Sequence, residues 1–258
     1  MTQTAAPQFE TRLAATEEDL RAAQHLRYQV FVAELGGGGA LVDHDAQLER
    51  DRFDPHFDHL LLLDHARPGD LRDKVVGVYR LLTDAAAAEI GQFYSADEYD
   101  LSKLTGSGRK LLELGRSCLH PDYRGGAGMM HLWAALADYV TARGIEVLFG
   151  VASFHGTDVA ALAEPLSVLH ARHLAPEALR VRARDEAFQR MDLIPEAALD
   201  RVAAMRAVPA LIKGYLKLGG FVGEGAFVDH AFNTVDVCLV LDTALLNEKQ
   251  SHLFRREG

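Results

Sequence analysis

The stretch Leu111–Met130, LLELGRSCLHPDYRGGAGMM, constrains the fold more than any other part of this chain. The mostly apolar run Leu111–Leu119 reads as a buried strand. His120-Pro121-Asp122 ends it, because proline donates no ladder hydrogen bond and fixes φ. Arg124-Gly125-Gly126-Ala127-Gly128 then brings bare backbone N–H groups to the start of a helix over Gly128–Arg143, where the macrodipole favours an anion. Strand, glycine turn and helix in that order suit a pyrophosphate or a phosphopantetheine arm, while a glycine turn alone equally serves only to reverse the chain. The charges Glu113 and Arg116 inside the strand sharpen the reading, since buried charges need partners.

Strand and helix patterns alternate around this motif. Phe9–Ala14 reads as an edge strand, and Thr16 with Asp19 as the start of a helix on which Leu20, Ala23, Arg27, Val30 and Phe31 follow helical spacing. Gly36–Gly39 ends that helix. Leu60–Asp64, Val75–Leu82, Val147–Ser153, Phe221–Phe227 and Val235–Leu241 read as strands; Ala85–Phe93, Ser95–Leu104, Thr157–Leu169 and Val208–Lys217 read as helices. The pattern is a mixed α/β single domain over residues 9–242, with a basic, later helical insertion at about 172–206. Polar tails at 1–8 and 247–258 are expected to be flexible.

A chain of 258 residues can bury a full core, and 48% apolar with 25% charged residues is ordinary for a globular protein. Its net charge of −10 argues against nucleic acid or an anionic membrane as a general partner. Cys118 and Cys238 have neither zinc-ligand nor disulfide-framework spacing. The start MTQTAAPQFE lacks the basic and apolar regions of a secretory signal, and no apolar run could span a bilayer. A cytoplasmic location is the expectation. Arg172, His173, Arg180, Arg182, Arg184 and Arg190 form a basic window against the overall sign, readable as a docking patch or as a solvated face.

HPDYRGGAG resembles the acyl-CoA-binding motif of the GCN5-related N-acetyltransferases, R/Q-x-x-G-x-G/A. ELGRSCLHPDYRGGAG, GVASFHGTD and PALIKGYLKLGGFVGEGAFVDHAFNTVDV together resemble the L-ornithine Nα-acyltransferases that start ornithine-lipid synthesis, over about Arg12 to Asp242. Glu49-Arg50-Asp51-Arg52-Phe53-Asp54, Arg80-Leu81-Leu82 and Glu113-x-x-Arg116 resemble, in order, the motif residues of acyl-homoserine-lactone synthases. The resemblance implies the GCN5-related acyltransferase fold, α/β of the α+β kind, with a mixed, mostly antiparallel central sheet flanked by helices. It implies transfer of a 3-hydroxy fatty acyl group from acyl carrier protein to the α-amine of L-ornithine. The acyl-phosphopantetheine thioester would be a co-substrate, with no bound cofactor and no metal, and with peripheral contact to the inner membrane. One departure bears on the donor. Ala127 stands where the motif has its first glycine, and Met129 where it has Gly or Ala. That weakens the grip on a coenzyme A diphosphate and leans towards the single phosphodiester of a carrier protein. Alternatives are an acyl-homoserine-lactone-type or other amino-acid N-acyltransferase, or a non-catalytic module that binds acyl carrier protein or an acyl chain.

Amide formation from a thioester needs a neutral amine, donors for the oxyanion and a proton for the leaving thiolate. An α-amine titrates near ~8, so the base has little to do. Glu113 is the candidate base, compatible with an ion pair to Arg116. Arg80 and Arg116 would orient the substrate carboxylate, or the acidic cluster around it, through bidentate guanidinium contacts. Glu49, Asp51 and Asp54 lie in a segment, Asp43 to His59, with six acidic residues and three histidines. Carboxylate and imidazole could suggest a metal, but no ligand spacing is present and Arg50 and Arg52 interrupt the charge. The resemblance assigns these carboxylates to a cationic acceptor, with Glu49 or Asp51 meeting the side-chain ammonium. Tyr215, in YLKLGGF, is the candidate acid, with one glycine more than the family's Y-x-x-x-G-F. Arg124, Gly125, Gly126 and Gly128, with backbone N–H groups around Cys118 and Leu119, would hold the donor's phosphopantetheine and its oxyanion. Cys118 with His120 on one strand face also allows an acyl-cysteine route. Ser153, His155, Thr157 and Asp158 do not read as a triad, because a triad converges from separate elements. The segment resembles a family signature that shapes the acyl tunnel or caps the next helix, with Thr157 or Gly156 near the N-cap.

Overall fold

The computed structural model describes residues 6–246, so the tails expected at 1–5 and 247–258 lie outside the described residues. Gln8 is not loose: its N–H donates to Asp64 Oδ1 (2.8 Å) and its carbonyl accepts from His65 N (2.9 Å). The chain divides into two compact units. Of the described residues, one holds 6–82 with Leu114–Arg143; the other holds Thr83–Glu113 with 144–246. The division falls inside the strand Leu111–Leu119.

In the first unit, strands Phe9–Leu13, Asp58–Asp64 and Val75–Thr83 pair antiparallel in sequence, with Phe9 opposite Asp64 and His59 opposite Arg80. The latter part of Leu111–Leu119 lies beside Val75–Thr83. Helix Glu17–Arg27 begins at the expected capping box: Thr16 Oγ1 accepts from Asp19 N, and the Asp19 carboxylate accepts from Thr16 N. Its apolar face, Ala22, Ala23 and Leu26, packs with Val30 on Leu61, Leu63, Val75 and Val78. The periodic pattern does not continue as an α-helix. Tyr28–Glu34 is π-helical, a form that inserts an extra residue per turn and recurs at functional sites.

The motif helix spans Gly128–Arg143 as read from the sequence. It packs closely because Gly77 has no side chain: a Cβ there would lie 2.8 Å from Leu119 Cδ2 and 3.0 Å from Leu132 Cδ1.

In the second unit, the start of Leu111–Leu119 runs parallel to Val147–His155, with Leu111 opposite Val147. Val147–His155 pairs antiparallel with Thr234–Asp242, which pairs antiparallel with Ala226–Asp229. Buried Val147, Leu148, Phe149, Val237 and Val240 fill its centre, where Phe93 meets Phe149 edge-on at 5.0 Å. Several helices differ from the sequence reading. Ser95–Leu104 is a 3-10 turn, a two-residue strand and a single α-turn rather than one helix. The helix expected over Thr157–Leu169 is Ala163–His173, because the Asp158 side chain accepts from Ala160 N and Ala161 N and holds a turn first. The segment 172–206 is mostly 3-10 turns with two short strands, Arg182–Ala183 and Phe188–Gln189, before the helix Arg201–Ala207. Phe188–Gln189 pairs with Ala226–Asp229, so the insertion widens that unit's sheet. Both cysteines are buried free thiols.

Candidate active site

The first unit buries a network of guanidinium and carboxylate groups. Arg27, fully buried, donates through Nη1 to Asp54 Oδ1 (2.7 Å) and closes on Glu49 Oε2 through Nε and Nη2. Arg80, also fully buried, donates through Nη1 to Asp51 Oδ2 (2.6 Å) and Asp54 Oδ1 (2.8 Å). Arg116 donates through Nε to Glu49 Oε1 (3.2 Å), with Nη2 3.6 Å from Asp51 Oδ2. Gln24 Nε2 donates to Asp54 Oδ2 (2.9 Å). The Phe57 ring lies 4.3 Å from the Arg80 guanidinium carbon. Three guanidinium groups thus face three carboxylates, which is the condition for burying charge at tolerable cost.

Asp54 and Glu49 are held ionised by the same balance. Burial would raise Asp54, but Arg27 and Arg80 outweigh it and keep the carboxyl well below its usual range. Burial would likewise raise Glu49, and Arg116, Arg27 and Arg80 outweigh it. His59, buried beside them with Nε2 on the Asp54 carbonyl (3.0 Å), is pushed down to about 4 by burial and then by Arg27. It is neutral at physiological pH, so Nε2–H donates.

The structure therefore brings together Glu49, Asp51, Asp54, Arg80 and Arg116, as the sequence suggests, and it adds Arg27 and Gln24. The carboxylates assigned to an acceptor ammonium already have arginine partners. Solvent reaches the network mainly at Asp51 and Arg116, whose side chains are 19% and 13% exposed. Arg116 sits at φ +49°, an uncommon backbone state for a residue with a side chain. Arg27 left one signal in the sequence, a charge on the apolar face of a helix. Gln24 left none.

Glu113, in the second unit, is buried and has a local task. Its Oε2 accepts from Tyr94 N (2.7 Å), and its Oε1 accepts from Ser95 N (2.6 Å) and from Ser95 Oγ. It caps the 3-10 turn Tyr94–Asp97, whose first N–H groups have no partner within the turn. Tyr215 is buried on helix Ala210–Lys217. The extra glycine of YLKLGGF lets the chain pass that helix end: Gly220 N donates to the Tyr215 carbonyl (2.9 Å), and a Cβ on Gly220 would meet that oxygen at 2.8 Å.

In the glycine turn, Gly125 adopts φ +73°, and a Cβ at Gly125 would meet nothing within 4 Å. Gly128 begins the motif helix in contact distance of Leu119 and Leu62. Arg124 does not stand open. Its Nη1 and Nη2 donate to the two Glu34 carboxylate oxygens (2.6 and 2.7 Å), and its Nε donates to the Leu119 carbonyl (3.2 Å).

The rival readings lose their geometry. Burial pushes the Cys118 thiol up to about 12, so a thiolate nucleophile is absent at neutral pH. His120 Nδ1 accepts from Asp122 N (3.3 Å), and its Nε2 lies 3.2 Å from Arg67 Nη2. The basic window is largely self-neutralised: Arg172 pairs with Glu196 (3.0 Å), Arg182 with Asp185 (2.7 Å) and Arg190 with Asp192 (3.0 Å). Arg180 and Arg184 donate to the backbone carbonyls of Ala175 and Ala96.

A glycine turn between strand and helix, set in a mixed and mostly antiparallel sheet with flanking helices, defines an acyltransferase of the GCN5-related class, and residues 26–134 match the acetyltransferase (GNAT) domain family. FeeM, an N-acyl amino acid synthase from uncultured soil microbes, has the same fold, with a TM-score of 0.50, 11% identity and coverage of 93% of this chain and 96% of that one. BjaI, a CoA-dependent acyl-homoserine lactone synthase, superposes with a TM-score of 0.52 at 15% identity over 96% and 88% of the two chains. The L-ornithine N(alpha)-acyltransferase of Rhodobacter capsulatus is 62% identical over 248 residues, covering 96% of this chain and 95% of that protein. That of Brucella abortus is 43% identical over 97% and 90%. The chain belongs to the L-ornithine N(alpha)-acyltransferase family. Among the described residues no helix is long and apolar enough to cross a membrane.

Proposed function

We propose that this acyltransferase moves a 3-hydroxy fatty acyl group from the phosphopantetheine thioester of acyl carrier protein to the α-amine of L-ornithine, giving a lyso-ornithine lipid. The observation that carries the acylation of ornithine is the 62% identity to an L-ornithine N(alpha)-acyltransferase across almost the whole of both chains, and the donor follows from the family resemblance. The buried network supports it, because it presents one carboxylate and one guanidinium to solvent, the pair of groups that an amino acid with a second ammonium would need.

In this reading the neutral amine attacks the thioester carbonyl carbon, the amine gives up a proton, and the carbon–sulfur bond breaks as the thiolate gains one. Arg116 takes the substrate carboxylate. Asp51 takes the side-chain ammonium, being the least buried of the three carboxylates. Arg80, with no exposed surface, is a positioning residue that aims Asp51. Glu113 is the base that the family likeness suggests. Tyr215 is the donor to the thiolate that the family likeness suggests. The Gly125–Gly128 turn receives the phosphopantetheine arm, and contact with the inner membrane is confined to its surface, where the product must leave.

The test offers 3-hydroxyacyl carrier protein with ornithine, lysine, glycine or S-adenosylmethionine to the purified protein and identifies products by mass. Nα-acyl-ornithine as the main product supports the reading. A lactone from S-adenosylmethionine would replace it with the homoserine-lactone reaction, and donor binding without any amide would leave only a binding module.

A further inference from the structure

Arg124 is the only arginine of the glycine turn, and all three of its guanidinium nitrogens are engaged within the protein. Nε meets the Leu119 carbonyl, and the two-pronged Nη face, the face that matches a phosphate, is filled by both oxygens of Glu34. Glu34 closes the π-helical segment Tyr28–Glu34, directly before Leu35 and the φ +72° turn at Gly36. The wider π-helical winding, not the α-helical spacing of the preceding residues, places it there. Neither side chain is buried: Arg124 is 42% and Glu34 38% exposed. The pair is therefore open to an incoming anion, which must displace or repel a carboxylate already in place.

We infer that Glu34 is a specificity-determining residue, an internal anion that occupies the phosphate face of Arg124 and selects against coenzyme A thioesters. This rests on the thioester-donor reading above and deepens it. Repulsion between a fixed carboxylate and a ligand grows with the ligand's charge. Coenzyme A brings a diphosphate and a further phosphate. Carrier-bound phosphopantetheine brings a single phosphodiester and carries its recognition surface on the carrier protein. A carboxylate at this position therefore disfavours the first donor more than the second. Ala127 in the turn and Met129 in the first turn of the motif helix, where the motif has Gly or Ala, weaken the grip on a diphosphate in the same direction.

The test has two arms on the full chain. The first measures binding of coenzyme A itself by calorimetry to the wild type, E34Q, E34A and E34D. E34Q and E34A are expected to bind about 3- to 10-fold more tightly, with the gain shrinking as salt screens the charge, and E34D to stay within about 2-fold. Adding Arg124→Gln to E34Q should remove the gain, since the freed guanidinium is its source. The second arm measures the ratio of acyl-coenzyme A to acyl-carrier-protein turnover with one acyl chain, which should rise by a similar factor in E34Q. Unchanged coenzyme A affinity in both E34Q and E34A overturns the inference, whatever the turnover. If the wild type makes no amide from either donor, the transferase reading fails while the binding arm still decides the role of Glu34. A surface pair contributes little to folding, so two independent neutral variants suffice to read it.

Discussion

Arg80 Nη1 lies 2.8 Å from Asp54 Oδ1, and neither side chain reaches solvent. The same Asp54 oxygen accepts from Arg27, so one carboxylate oxygen joins the helix Glu17–Arg27 to the strand Val75–Thr83. The network is as much a structural element as a site. A carboxylate with two buried guanidinium partners has no cheap replacement, because removing it takes one of two carboxylate partners from each of Arg27 and Arg80.

Asp54→Asn is accordingly expected to destabilise the protein by about 3–5 kcal/mol, the usual range for breaking a buried pair. Urea unfolding followed by circular dichroism measures it. A loss under 1 kcal/mol would mean that water reaches the network in solution.

Asp51 differs from Asp54 in its exposure, and its replacement should separate binding from folding. Asp51→Asn is expected to raise KM for ornithine by roughly tenfold, the cost of one charge-assisted contact, with kcat changed much less. Steady-state kinetics with saturating donor would check it; a fall in kcat at constant KM would move Asp51 out of acceptor recognition.

Stability should fall on acidification in two steps. His59 is neutral in the folded protein because burial and then Arg27 push it down to about 4, whereas an unfolded histidine titrates near ~6.5. The unfolded state therefore binds the extra proton first, and this contribution is full above about pH 6.5 and lost as pH falls towards 4. Below that, Asp54 and Glu49, both held low against burial by arginines, lose their contribution as they are protonated. Urea midpoints from pH 8 to 4 would show the slope, and His59→Gln should flatten its upper part. An identical slope in the variant would assign it to other histidines.

Cys118 should resist alkylation in the native protein and react on unfolding, since its thiol is buried and pushed up to about 12. Mixing with acyl carrier thioester alone should leave no acyl-enzyme by intact mass. A stable acyl adduct on Cys118 would reinstate the covalent route.

Gly77→Val should cost about 1–3 kcal/mol, because its side chain would enter the space held by Leu119 and Leu132. A thermal melt that did not shift would show that the motif helix can move aside.

The motif strand, the glycine turn and the helix Gly128–Arg143 were legible in the sequence, as was the capping box at Thr16, because each depends on neighbours within a few residues. Glu49, Asp51, Asp54, Arg80 and Arg116 were singled out through family likeness, and they meet in one network. Their partners were not. Arg27 joins them from a helix, Glu34 takes Arg124 from 90 positions away, and Ser95 takes Glu113 from 18. The short turns of 172–206 were equally hidden, since their strands exist only by pairing with Tyr99–Asp100 and Ala226–Asp229. Local propensity, caps and glycine conformations are written into adjacent residues, so the sequence by itself determined the motif and the class of fold. Only the tertiary structure decided which charges neutralise one another, because a buried ion pair is set by distance in space and by the desolvation that makes a partner necessary.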